Sequence, residues 1–406
     1  MVARFKVVCR TFWNSDEGKI FLLSFAIQIL VFVWVFVFHR PDVMFDDKDN
    51  HFIYVQSILK NHVFAMVPAW GSDAYRTPLY PLFMAAVYGV THSVAFIVFI
   101  QNILAAVSSV LVFRLGKVFW NVSVGWIAAG LFMIEAEHIM TANMMRAEAR
   151  FIFSLLATFV VYFKFINAFH RRLQWAAITG VLLGITTLIR PTSQLLIVPF
   201  LVFLLIPFFS LTAHKNSTKK KVYESLLLIA TFVITLAPWS IRNYVNFGTF
   251  KLAPNFAFNA YFNLAVDVRD KKLGKMGVDN DELRRRGNAD IAQSFVDLTH
   301  RPYPNNQVAN MFVFGSFAAE PYFNKKTSAI FSVDPWFFVQ HVIWRDAQFL
   351  INSGFAYNLN LVTDRVLPLS PHLFYPWLFW GGRFLWISMY LIIVARVVLL
   401  WRKDRP

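Results

Sequence analysis

The apolar residues of this chain fall in blocks of about 20, the length a helix needs to cross roughly 30 Å of hydrocarbon. The blocks lie at 20–38, 94–113, 119–134, 149–166, 175–189, 192–209, 224–240 and 377–400. Backbone in lipid has no water to satisfy its N–H and C=O groups, so such blocks become helices. The chain is therefore read as an all-α polytopic membrane protein with about eight transmembrane helices. A soluble fold is excluded: 57% of the residues are hydrophobic, against about 45–50% in soluble domains, and they are not spread as a core would need.

Charge orients the helices. Arg4, Lys6, Arg10 and Lys19 precede the first block, and the positive-inside rule then places the N-terminus in the cytoplasm. No small-residue cleavage site follows that block, so it reads as an uncleaved first helix rather than a signal peptide. Arg114 and Lys117, then Lys164, Arg171 and Arg172, then Lys215, Lys219, Lys220 and Lys221, and finally Arg402, Lys403 and Arg405 all fall on the cytoplasmic side in this arrangement. Both termini are expected inside. The same clustering beside apolar blocks accounts for the net charge of +16 through anionic lipid, so nucleic acid is not expected as a partner. Cys9 is the one cysteine, which excludes an intrachain disulfide.

Two long outer segments remain, 39–77 and 241–375. The expected organisation is a transmembrane module over 1–240, an extracytoplasmic region over 241–375, and a final helix with a basic tail over 376–406. The stretch 78–90 is apolar but short and carries two prolines, so it predicts a helix packed at the outer surface rather than a crossing. Residues 270–290 are charged with a helical pattern, and 334–352 alternate aromatic and polar residues as an amphipathic helix on the membrane surface does. No internal repeat is visible, which disfavours inverted-repeat transporters.

Candidate chemistry gathers outside. Asp42, Asp46, Asp47 and Asp49 follow the first helix within a few positions. Such a run is commonly a solvated loop. Packed carboxylates also raise one another's pKa and can serve as general base or hold a divalent metal. Arg76 anchors the surface helix to headgroups or grips an anionic group by paired bonds. Glu148, at the start of the fourth span, either favours the helix dipole or belongs to a site at the membrane boundary. His138 reads as a surface histidine rather than a ligand. Arg190 and Arg242 stand at outer helix ends, each near a proline, where positive-inside statistics disfavour arginine. Snorkelling to headgroups explains them at little cost; so does a phosphate held at the boundary.

In order, the acidic loop, "RTPLYPLF", "RAEARFIFSLLA", "LLGITTLIRPT" and "APWSIRNYVNFGTF" resemble the bacterial members of the GT-C membrane glycosyltransferases. These are similar to the dolichyl-phosphate-mannose protein mannosyltransferases and the lipid A aminoarabinose transferases. The resemblance covers about 39–255, by ordered motifs. It implies a sugar taken from a polyprenyl-phosphate donor outside the membrane and passed, with inversion, to a lipid, glycan or protein acceptor. It implies a catalytic Asp in the first outer loop followed four positions later by Tyr. One register puts Asp47 there with His51 at the Tyr, and another uses Asp49; Asp46 stands beside them as a possible helper. It assigns Arg76, Arg190 and Arg242 to the matching arginines of the family's motifs, and Glu148 to the acid at the fourth span. The rival reading is a transporter or flippase of lipid-linked envelope precursors, which would place ionisable groups mid-span. A non-catalytic scaffold is the second rival.

Overall fold

A computed structural model describes residues 13–34, 47, 50–205, 218–276 and 279–351, and every regular element among them is helical. Cys9, Asp42, Asp46, Asp49, the expected final span at 377–400 and the basic tail lie outside the described residues. The elements sort into two compact units. The first holds the described residues of Met1–Ile134, Thr141–Phe256 and Pro304–Ala319, and the second those of Glu135–Met140, Ala257–Tyr303 and Glu320–Pro406.

Unit one begins with α1 (Asp16–Val33), capped where Ser15 Oγ accepts the Gly18 N–H at 3.1 Å. Helix α2 (His51–Asn61) lies within the segment 39–77, and α3 (Leu79–Thr91) is the short apolar helix expected over 78–90. Then come α4 (Val94–Phe119), α5 (Val122–Met133), α7 (Glu148–Asn167) and α8 (Arg172–Ile189), while α6 (Ala136–Ala142) belongs to unit two up to Met140. A 3-10 turn, Pro191–Leu196, leads into α9 (Ile197–Leu205). Helix α10 (Thr218–Phe247) runs 30 residues with Pro238 inside it.

Four of these, α4, α7, α8 and α10, are long and apolar enough to cross a membrane. The block at 119–134 forms only the 12 residues of α5, about 18 Å at 1.5 Å per residue. By itself it falls short of the hydrocarbon thickness. The C-terminal end of the seventh block also moves: α10 continues to Phe247, so the segment expected to begin outside at 241 starts as helix.

Helices α8 and α10 approach closely because α8 carries Gly180 and Gly184. A Cβ at Gly184 would stand 2.6 Å from the Thr235 Cβ, and one at Gly180 would strike the Leu228 carbonyl and the Thr231 hydroxyl. Small residues four apart let backbones meet where lipid offers no hydrophobic drive. At the far end of the same pair, Arg172 Nε and Nη2 donate to Glu224 at 2.7 and 3.0 Å, with both groups buried. Arg172, counted above as an orienting surface charge, is thus an interior clasp.

Uncharged polar groups link α1 to the bundle. Ser24 and Ser109 hydroxyls meet at 2.8 Å, and Asn102 Nδ2 donates to Asn143, whose own Nδ2 donates to Gln28. His138, expected at the surface, is only 2% exposed. It sits within α6.

Unit two contains α11 (Asn255–Asn259) in part, a π-helical turn Ala260–Ala265, α12 (Val266–Lys275), α13 (Asn280–Thr299), α15 (Glu320–Val333) and α16 (Pro335–Ile351). Between α13 and α15 the chain returns to unit one as α14 (Gln307–Phe314). Asp290 organises unit two. It accepts from Tyr261 Oη at 2.5 Å and Lys326 Nζ at 2.7 Å, beside the buried Phe323. Helices α12, α13 and α16 match the helical patterns read at 270–290 and 334–352.

Candidate functional site

Asp47 begins the site. Its carboxylate accepts the backbone N–H groups of His51 at 2.8 Å and Phe52 at 2.6 Å, so it caps the start of α2. Asn50, the residue before α2, lies in the left-handed region, φ 56°. The cap fixes the Asp47 carboxylate at the head of a rigid helix rather than in a solvated loop.

His51 is buried, its ring 4.6 Å from that of Tyr80 and nearly perpendicular to it. Burial pushes its pKa well below the usual histidine value, and the guanidiniums of Arg76, Arg150 and Arg190 push the same way. The imidazole is neutral at pH 7 and stands among three cations.

Those cations come from three elements. Arg76 follows Tyr75, with its guanidinium 4.7 Å from that ring. The next residue, Thr77, donates its hydroxyl to the Ile189 carbonyl at 2.9 Å, which ties "RTP" to "IRP". Arg190 ends α8, pairs with Glu148 at the start of α7, and is 41% exposed. Its carbonyl accepts from Ser193 Oγ at 3.0 Å, which holds the turn.

Arg150 was not singled out from the sequence. It lies two residues beyond Glu148 on α7, 4% exposed, with its guanidinium 4.2 Å from the Tyr80 ring and 4.1 Å from that of Phe83. Among the described residues its Nε, Nη1 and Nη2 find no hydrogen-bond partner, and neither does Glu148 Oε2. A buried charge without a partner destabilises a fold by several kcal/mol. The only sequence signal is an arginine inside the first turn of an apolar helix.

Arg242 is placed differently. Its Nη1 donates to the Asp73 carbonyl at 2.7 Å and to Asn243 Oδ1 at 2.9 Å, and Nη2 donates to the Phe64 carbonyl at 3.2 Å. The guanidinium stacks 4.6 Å from the Trp239 ring. Trp239 Nε1 donates to the Leu252 carbonyl, and Asn243 Nδ2 to those of Lys251 and Leu252. The residues of "PWSIRN" therefore fasten the end of α10 to two loops.

Asp73 was also unforeseen. It is buried and accepts from Tyr54 Oη and the Met66 N–H, both at 2.5 Å, and from the Tyr75 N–H at 3.2 Å. Burial raises its pKa, against the pull of those hydrogen bonds and of Arg242. Burial, then the neighbouring Asp73, raises the Tyr54 phenol well above its usual range. Over this pair lies α14. Asn50 Nδ2 contacts Met311 Sδ at 3.2 Å, Trp70 and Phe312 meet edge to face at 5.1 Å, and Met311 packs with Tyr54 and Tyr75. Gly315 closes the helix where any Cβ would strike the Tyr75 ring.

Asp47, His51, Arg76, Glu148 and Arg190 thus share one region with Arg150, and Arg242 supports its wall. Among the described residues no three His, Cys, Asp or Glu side chains gather to hold a metal.

Residues 75–240 match the family model of the dolichyl-phosphate-mannose-protein mannosyltransferases. That stretch carries Arg76, Glu148, Arg150 and Arg190, and stops before Arg242. No curated protein matches the chain. Over the matched stretch the chain is similar to membrane glycosyltransferases, in agreement with the ordered motifs, and its apolar helices make it a membrane protein.

Proposed function

We propose that this protein is an integral membrane glycosyltransferase that moves a sugar from a polyprenyl-phosphate donor to an extracytoplasmic acceptor by a single inverting displacement. The observation that carries the reading is Arg150, a buried guanidinium that finds no hydrogen-bond partner among the described residues and acts on His51 together with Arg76 and Arg190. A phosphate would give the Arg150 guanidinium a hydrogen-bonding anion, and a planar fork binds it through paired bonds.

The acceptor oxygen bonds to the anomeric carbon as the bond from that carbon to the phosphate oxygen breaks. The electron pair leaves with the polyprenyl phosphate, which gains one negative charge. Arg150 and Arg190 stabilise that charge in a site shielded from bulk water. The acceptor proton passes to Asp47, with Asp46 and Asp49 as its neighbours in the same loop. His51 stays neutral and so does not compete for the phosphate as a donor of charge. Glu148 holds Arg190 in place. Arg242, engaged by the Asp73 and Phe64 carbonyls, shapes the wall rather than gripping the donor.

Ionisable groups at helix ends also weigh against the transporter reading, which calls for them within the spans. The test is binding of a polyprenyl phosphate against the matching polyprenol by the purified protein. Phosphate-dependent binding that drops at least tenfold in both Arg150→Lys and Arg190→Lys supports the reading. Equal binding of phosphate and alcohol by the parent would end it.

A further inference from the structure

Helix α16 turns its apolar side outward. Trp336, Val339, Ile343 and Trp344 recur at helical spacing on one face, and Trp336, Ile343 and Trp344 are each more than 60% exposed. The preceding Phe331 and Val333 are exposed as well. The opposite side is held by unit two itself. Phe338 is buried against Phe331, and His341 Nε2 meets Asp267 on α12 at 2.8 Å. Asp334 caps α16 through the Phe337 N–H at 3.0 Å and accepts from Lys272 Nζ on α12 at 2.9 Å. With both ends of this attachment on α12, the helix cannot roll its apolar face inward.

A face of this kind on a soluble partner's surface would be an aggregation hazard. Here the chain itself names the neighbour. Unit two is entered from α10, one of the four membrane-length helices, and α16 is followed by the apolar block 377–400. A helix tethered between such segments stays beside a bilayer. Tryptophan prefers the headgroup layer, where its ring is apolar and its N–H wet. We infer that α16 seats unit two on the lipid–water interface, with Trp336, Ile343 and Trp344 in the headgroup layer, its Phe338 against Phe331 of α15 and its His341 against Asp267 of α12. This seat does not depend on the glycosyltransferase reading.

The experiment uses the full chain with Cys9→Ser, in bilayers of phosphatidylethanolamine and phosphatidylglycerol. Spin labels are attached one at a time at Trp336→Cys, Ile343→Cys and Trp344→Cys. Lys325→Cys, on an exposed part of α15, is the aqueous reference. Gln340→Cys, on the outward face, repeats the measurement without removing an apolar group. Membrane seating predicts that collision with oxygen, relative to collision with a water-soluble nickel chelate, rises several-fold over the reference at all outward positions. A ratio equal to that of Lys325→Cys means a water-facing helix and overturns the inference. Exclusion of both reagents means that protein, such as a second copy, covers the face, and overturns it equally.

Discussion

Replacing Arg150 by methionine separates binding from stability. The parent guanidinium is buried beside the rings of Tyr80 and Phe83, and its three nitrogens find no hydrogen-bond partner among the described residues. Burying an ion without a partner destabilises by several kcal/mol. The two ring contacts at 4.2 and 4.1 Å offset about 1–2 kcal/mol each. Methionine occupies similar length, needs no hydrogen bonds and suits aromatic neighbours. The ligand-free variant should therefore be more stable than the parent, by about 1–3 kcal/mol. Binding moves the other way. Loss of one charge-assisted hydrogen bond removes about 1.5–3 kcal/mol, which weakens phosphate binding roughly 10- to 100-fold. Thermal unfolding in detergent, with and without a polyprenyl phosphate, reads both quantities. The parent should gain stability from the lipid phosphate and the variant should gain none. A variant that is less stable and still responds to the lipid as the parent does would refute the reasoning, and Arg150 would then be a ring-stacking residue.

Asp47→Asn should abolish transfer while retaining most of the fold, since asparagine caps helices nearly as well as aspartate; unimpaired turnover in both Asp47→Asn and Asp49→Asn would remove the general base from this loop. Arg242→Ala should lose about 3 kcal/mol of stability with its carbonyl bonds, and the folded fraction should keep the parent's affinity for donor; a selective rise in donor KM without a change in melting would assign it to the phosphate instead. His51 has a folded-state pKa depressed below its unfolded value. It therefore contributes stability above about pH 6.5 that is lost as pH falls below it, by at most about 1.4 kcal/mol per pH unit. His51→Tyr should flatten the melting-temperature profile between pH 6.5 and pH 5, and an unchanged acid slope would place the sensitivity elsewhere.

Much of the fold was legible because lipid imposes a simple rule. A long apolar run must be a helix, so α4, α7, α8 and α10 stood where the blocks predicted. The short apolar run with two prolines became α3, and the charged and aromatic patterns became α12, α13 and α16. The order of motifs pointed to the glycosyltransferase family over about 39–255, and the family match covers residues 75–240 of that stretch. What the sequence left open was where each polar side chain goes. Hydropathy counts Arg172 as a surface charge, yet Glu224, 52 positions away, draws it inside. Arg190 and Arg242 looked equivalent at outer helix ends. Glu148 holds one beside the cluster, whereas the carbonyls of Asp73 and Phe64 hold the other. Asp73, Arg150 and α14 carried no pattern of their own, because their roles come from neighbours distant along the chain. An apolar helix is decided by about 20 consecutive residues and their solvent. A charged group's role is decided by what surrounds it in space, and only the tertiary structure determined that.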